Sequence, residues 1–363
     1  MRSSRSVLLG TVVCALLAAA AVAPASASTL VPANTGRTVS AAGDTVVYST
    51  YDAAARTWRL AVSQNGAIRL LKTAPSPVSF DADLGTATTG APEVIYRRCT
   101  GNETTRAGCE LYVIALASGA SERPVRNAND PAHNDLTPTL WRGRIAWTRV
   151  YGTAAEPDPV VYTKLLTAPR SQPSRRLPGV PTKRCAMELG LVNPPCGPTT
   201  HRSVSSLELW GDHLGMVVAY VFEGLSGISQ TEVRLDAVSS GASREVSYLL
   251  SGMAGQLFSG PSFSDGRLAW YKACGDPSEP SCKAKVGPWR YDIAKGTYQQ
   301  GAPGPVAVYG FADTGSRLYE ATGCDMLGPP QTTPVTCRID AVTPPAYTSA
   351  PAPELATATA PTK

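Results

Sequence analysis

The chain has 363 residues, with 33 basic and 28 acidic side chains and a formal net charge of +5. Taking Arg2 and Arg5 away with the leader described next leaves 31 against 28, about +3, too mild a surplus to single out nucleic acid or an anionic membrane as a partner. With 32 glycines, 31 prolines and few long amphipathic helical patterns, the composition speaks against a helical bundle and fits an all-β chain.

Residues 1–27 read as a secretory signal peptide. Arg2 and Arg5 supply the positive start, Val7 to Ala23 the apolar stretch, and Ala25-Ser26-Ala27 an A-x-A cleavage site. Cys14 follows Val13, where a lipoprotein site needs a small residue. No later stretch is long and apolar enough to span a bilayer. The mature chain is therefore expected to be secreted or otherwise extracytoplasmic, with no integral membrane segment after cleavage.

From there one pattern recurs. A strand, a tight turn and a second strand lead to a third strand, a Gly-containing turn and a short fourth strand. The second strands read Asp44-Thr45-Val46-Val47-Tyr48, Glu93-Val94-Ile95-Tyr96, Gly143-Arg144-Ile145-Ala146-Trp147, a looser Gly215-Met216-Val217-Val218, Gly266-Arg267-Leu268-Ala269-Trp270 and Gly315-Ser316-Arg317-Leu318-Tyr319. The third strands include Thr57-Trp58-Arg59-Leu60-Ala61-Val62, Glu232-Val233-Arg234-Leu235-Asp236-Ala237, Trp289-Arg290-Tyr291-Asp292-Ile293 and Cys337-Arg338-Ile339-Asp340-Ala341, in which apolar and polar residues alternate as in a half-buried strand. The units fall at about 36–72, 78–126, 135–178, 203–250, 258–301 and 304–346.

One such sheet cannot bury both faces alone, but six packed around an axis can. A period near 50 residues therefore predicts a six-bladed β-propeller of four-stranded antiparallel blades, one domain over 28–346. The sixth unit lacks a good fourth strand, so Thr29 to Val31, or Arg37 to Ser40, is expected to complete the last blade. Residues 347–363, rich in Pro, Ala and Thr, are expected to be a disordered tail.

The stretch Pro261-Ser262-Phe263-Ser264-Asp265-Gly266-Arg267-Leu268-Ala269-Trp270 resembles the repeat of TolB-like six-bladed propellers, also called WD40-like or PD40 repeats. The usual form places a proline between the Ser and the Asp, which Ser264-Asp265 lacks. The resemblance implies the fold, and a fold hosts many functions.

The third unit carries an inserted loop, 167–203, with Arg170, Arg175, Arg176, Lys183 and Arg184 among many prolines. Long loops on a rigid scaffold often carry function, which makes these five cations the candidate partner-binding loop. The plainer reading is a solvated excursion pinned by a disulfide.

Eight cysteines remain after cleavage, and eight allow 105 pairings. Repeat phase narrows this. Cys99, Cys274 and Cys324 follow second strands, and Cys109, Cys282 and Cys337 stand near third strands, so each such pair closes the same loop. Cys185 and Cys196 then pair within the insertion. An exported chain without a C-x-x-C favours disulfides over metal.

Catalytic motifs are lacking: no G-x-S-x-G, H-E-x-x-H or phosphate loop occurs, and His133, His201 and His213 stand outside any motif. Asp81-Ala82-Asp83-Leu84-Gly85 resembles a fragment of a calcium loop without the further oxygen ligands; the plainer reading is an exposed Asx turn. Arg59, Arg234, Arg290 and Arg338 share one phase and Asp236, Asp292 and Asp340 the phase two residues on, which predicts repeated ion pairs. Asn102-Glu103-Thr104 is a glycosylation sequon.

These observations favour an exported, monomeric, non-catalytic propeller, with no cofactor, that binds a protein or cell-envelope polymer through rim loops. The alternative is a lactonase-, lyase- or glycosidase-type enzyme with its site in the central channel. Three or more carboxylate, Asn or His side chains converging on the axis would favour the enzyme; a lining of Ser, Thr and apolar groups would favour the binder.

Overall fold

The computed structural model describes residues 27–101, 108–117, 119–153, 155–185, 196–222, 229–251, 257–273, 286–305, 307–324 and 336–352. Residues 1–26 of the expected signal peptide, the sequon, and Cys274 with Cys282 lie outside them.

The described chain is all strand and turn. The first unit comprises β1 (Ala27–Ala42), β2 (Thr45–Asp52), β3 (Thr57–Gln64) and β4 (Ala67–Leu70). The second has β5 (Asp81–Thr86), β6 (Pro92–Arg98), β7 (Glu110–Ala115) and β8 (Arg123–Pro124). The third has β9 (Asn134–Trp141), β10 (Arg144–Gly152), β11 (Pro157–Leu165) and β12 (Arg175–Arg176). Then follow β13 (Lys183–Cys185), β14 (Cys196–Trp210), β15 (His213–Phe222), β16 (Ser229–Ala237) and β17 (Ser243–Ser251). The fifth unit has β18 (Leu257–Ser264), β19 (Arg267–Ala273), β20 (Gly287–Asp292) and β21 (Thr297–Gln300). The last has β22 (Val308–Asp313), β23 (Leu318–Thr322) and β24 (Cys337–Val342), and β25 (Thr348–Ala350) ends the described chain.

Turn chemistry explains the register. Arg142 and Gly143, and likewise Asp265 and Gly266, have positive φ at both central positions of a two-residue turn. That is the turn whose twist matches paired strands, and glycine adopts it without strain. The second strands are buried on both faces: Val94 to Arg97 are all below one-tenth exposed, as expected where a neighbouring sheet covers each side.

The first strands form a closed ring: β1 packs on β5, β5 on β9, β9 on β14, β14 on β18, β18 on β22 and β22 on β1. Each seam has its own core. Trp58 and Phe80 fill the seam between the first two units, Trp147 the next, Met216 and Tyr220 the next, Trp270 and Trp289 the next, and Tyr271 and Phe311 the next. This is a β-propeller built as one domain.

The expected six separate four-stranded blades require correction. There are five hydrogen-bonded sheets. Four stand alone as blades of four or five strands. The fifth is a seven-stranded sheet, β22-β23-β24-β1-β2-β3-β4, in which the first and last units merge. The physical reason is β1 itself. Its early half pairs with β24 (Thr29 opposite Asp340, Val31 opposite Ile339), and its later half pairs with β2 (Ser40 opposite Val47). Register shifts on either side of Thr35, with Asn34 at φ 64°, let one strand serve both partners.

Two further expectations change. The tail does not begin at 347: β25 pairs with β21, and the Tyr347 ring lies 3.9 Å from the Arg290 guanidinium. The insertion is narrower than 167–203, because 196–203 already belongs to β14 and 175–176 is β12. Cys99–Cys109 and Cys324–Cys337 are bonded. Cys185 and Cys196 are register partners between β13 and β14, their side chains lying outside the described ones.

Candidate functional site

One first-strand position is polar in five of the units: Ser40, Asp83, Thr139, Glu208 and Ser262. Each stands opposite an apolar or glycine residue of the second strand: Val47, Ile95, Ala146, Gly215 and Ala269. A buried polar side chain must find partners, and these find them across the seams. Ser40 Oγ accepts the Leu84 N–H (2.9 Å), Asp83 Oδ2 accepts the Leu140 N–H (2.8 Å), and Thr139 Oγ1 accepts the Leu209 N–H (2.9 Å). Ser262 Oγ accepts the Asp313 N–H (3.0 Å). Each bond ties one first strand to the next, so the position is an inter-sheet clasp.

Asp83 is the carboxylate form of that clasp. Ser40 Oγ donates to its Oδ1 (2.7 Å) and Thr139 Oγ1 to its Oδ2 (2.9 Å). Glu208 hydrogen-bonds to Asp83 as well. Burial pushes both carboxyls up, Glu208 well above the usual range because it also faces the Asp83 charge, while the hydroxyls and the Leu140 N–H pull Asp83 back down. Burial and the Asp83 charge thus favour the protonated form of Glu208, while the hydrogen bonds to Asp83 favour its carboxylate. Glu208 keeps partial solvent access; Asp83 is 3% exposed.

The other residues at this position are the hydroxyls Ser40, Thr139 and Ser262. Asp313, on β22, is bound by Arg290 (Nε to Oδ2 2.6 Å, Nη2 to Oδ1 2.8 Å) and by the Gly315 N–H (2.8 Å). Asp81 to Gly85 is neither a calcium loop nor an Asx turn but strand β5. It is pressed so close to β9 that a Cβ at Gly85 would sit 1.9 Å from the Leu140 carbonyl oxygen. Among the described residues no three His, Cys, Asp or Glu side chains group as metal ligands.

The ion-pair pattern is also corrected. Arg338 does meet Asp340 two residues on (2.9 Å), but Arg234 meets Glu232 (2.7 Å) and Arg290 meets Asp313 of the next unit. Side-chain reach, not phase alone, chose the partner. His133 Nδ1 lies 3.0 Å from Asp130 Oδ2, His213 stacks near Trp210, and His201 is exposed.

The candidate partner-binding cations are dispersed. Arg175 and Arg176 are exposed on β12, where Arg175 Nη2 donates to the Ser239 carbonyl (2.6 Å), and Lys183 is exposed on β13. The Arg184 side chain lies outside the described ones. Arg170 alone of the four lines a rim cavity of about 340 Å³, where it joins Arg126, Arg149 and Lys164. Arg126, Arg149 and Lys164 were not singled out in the sequence. They come from separate strands and turns, and no spacing marks them as neighbours.

No family model and no curated protein sequence matches the chain. Several solved structures are similar at low identity. One is a nidogen/laminin complex (9% identity, 80% of this chain and 84% of that one, TM-score 0.44). Another is an α-L-arabinanase of Penicillium chrysogenum complexed with arabinobiose (11%, 85% and 92%, TM-score 0.46). A third is the β-propeller domain of the Trilobed protease of Pyrococcus furiosus (11%, 80% and 91%, TM-score 0.39).

Proposed function

We propose that the chain is an exported, non-catalytic β-propeller that holds a cell-envelope partner through its rim, acting as a monomer. The six repeat units, the first and last joined through β1, and the TolB-like kinship of the Pro261–Trp270 stretch belong to the same reading. The observation that carries it is the use made of Asp83. Both of its oxygens are engaged by donors that tie neighbouring strands together, and the equivalent polar residues of the other units, Glu208 aside, are the hydroxyls Ser40, Thr139 and Ser262. A general acid or base needs a face open to substrate; this one is spent on architecture. The rim cavity, by contrast, is open and cation-lined.

The test is capture on immobilised protein from residue 28 onward, exposed to envelope fractions of the source organism. A saturable partner that is lost when 167–182 is shortened supports the reading. A partner retained by the shortened protein, or none at all, sinks it.

A channel enzyme is the second reading. It is favoured by one observation, the half-buried Glu208 carboxyl, its pKa raised, beside Asp83. Hydrolysis or elimination of a supplied saccharide or lactone that disappears in Glu208→Gln, with the fold intact, would move the function to the axis.

A further inference from the structure

The seam between the second and third units gathers cations from four places. Arg126 follows β8, Arg149 lies on β10, Lys164 on β11, and Arg170 in the loop between β11 and β12. Their charges are not equally matched. Arg149 is held by Asp135 (Nε to Oδ1 2.8 Å, Nη2 to Oδ2 3.0 Å) and by Asp130 (3.4 Å). Asp130 lines the cavity, but its Oδ2 also meets His133, and its Oδ1 accepts the Ala132 N–H (3.1 Å). Four cations against Asp130 and the adjoining Asp135 leave two positive charges.

Lys164 is the telling member. Four cations are buried among the described residues: Arg97, Lys164, Arg234 and Arg290. Three of them meet a carboxylate, respectively Asp81, Glu232 and Asp313. Lys164 is 6% exposed as a residue; its ammonium donates to the Asn127 carbonyl (2.9 Å) at the wall of the cavity and meets no carboxylate among the described residues. Partial desolvation pulls its pKa down. An anion seated in the cavity would supply the counter-charge that this ammonium lacks. Arg126 and Arg170 are exposed beside it and likewise meet no carboxylate among the described residues.

We infer that this cavity is a binding site for a phosphate monoester, with Lys164, Arg126 and Arg170 as its anion-binding groups. This deepens the proposed rim function and rests on it for the biological source of the ester. The charge matches: a phosphate monoester carries about −1.5 to −2 near neutral pH, whereas a carboxylate would leave one cation unmatched. The guanidiniums offer forked donors and the ammonium a point charge, the pairing that suits phosphate oxygens. The volume, about 340 Å³, leaves room for the body that carries the group.

Isothermal titration of the intact mature protein with glucose phosphate, inorganic phosphate, glucuronate and glucose tests this. Glucose phosphate should bind, inorganic phosphate more weakly, and both less tightly as salt rises. Lys164→Met should weaken binding by about tenfold or more, the loss expected for a hydrogen bond to a charged group. Arg126→Ala and Arg170→Ala, both exposed and expected to fold, should each weaken it several-fold, and Lys295→Ala in the turn between β20 and β21 should not. Inorganic phosphate binding as tightly as the ester would keep the phosphate site and make the free ion its ligand. Absence of binding, glucuronate binding as tightly as the ester, or Arg126→Ala and Arg170→Ala both without effect overturns the site. An envelope partner that stays bound under saturating glucose phosphate overturns this inference alone. Phosphate-ester binding without any envelope partner overturns the rim reading and leaves the site standing.

Discussion

Glu320 offers a sharp test of the packing at the closure. It lies on β23 opposite Asp340 of β24 and Phe311 of β22, is 2% exposed, and its Oε2 has no hydrogen-bond partner. Tyr271 and Tyr347 are its other titratable neighbours. Burial, and then the Asp340 charge, push its carboxyl from 4.5 up to about 7. Asp340 moves the other way: burial opposes ionisation there, but the Thr322 hydroxyl, Arg338 and the Thr29 hydroxyl of β1 outweigh it. A carboxyl whose folded pKa is raised binds its proton more tightly when folded. Its contribution is fully present below about pH 4.5 and is lost as pH rises to about 7. Each tenfold difference in proton affinity is worth about 1.4 kcal/mol, so the loss is on the order of 3 kcal/mol. Glu320→Gln keeps the shape, removes the titration and can donate to Asp340. Urea midpoints from about pH 5 to about pH 8 should fall less steeply in Glu320→Gln than in the parent, with the variant the more stable at the alkaline end. Asp236, pushed up to about 6 mainly by burial, titrates in the same window, so the difference between the two proteins is the quantity to read. Parallel curves would refute the reasoning.

Other expectations are simpler. A Cβ at Gly310 would sit 1.8 Å from the Arg37 carbonyl oxygen, where β22 meets β1, so Gly310→Ala should prevent closure of the ring and yield little soluble protein. Cys99→Ser with Cys109→Ser opens a short loop and should lower stability by about 2–3 kcal/mol, measured by urea denaturation. Asp83→Ala leaves the Leu140 N–H, two hydroxyls and the Glu208 carboxyl without their acceptor and should cost several kcal/mol, roughly 1–3 for each buried group stranded. Asp83→Asn should cost less, because the amide oxygen still accepts. If Asp83→Ala instead folds with parental stability, the clasp reading fails.

Local chemistry carried much of the architecture in plain sight. The positive-φ turns at Arg142-Gly143 and Asp265-Gly266, the doubly apolar second strands ending at Tyr48, Tyr96, Trp147 and Trp270, and the phase of Cys99 with Cys109 are all properties of neighbouring residues. A repeat displays such properties several times over. The polar clasp was legible in principle: a polar residue recurs in five first strands, at Ser40, Asp83, Thr139, Glu208 and Ser262. Reading Asp81–Gly85 as a loop hid it.

What the chain order could not show is how surfaces meet across a seam. β1 serves two partners because the ring must close on itself, and only closure brings Thr29 to Asp340 and merges the end units into one sheet. Arg290 reaches Asp313 of the next unit across the packed sheets, while Arg234 takes Glu232, two residues back on β16, rather than Asp236 two residues on. Lys164, Arg126 and Arg170 share a cavity although nothing in their spacing announces it. Sequence by itself determined where the second strands and their tight turns fall, since those depend on backbone preferences and burial within a few residues. The tertiary structure decided how the ring closes and which charges are matched across its seams, as Arg290 is by Asp313, because burial and counter-charge there are set by residues distant in the chain.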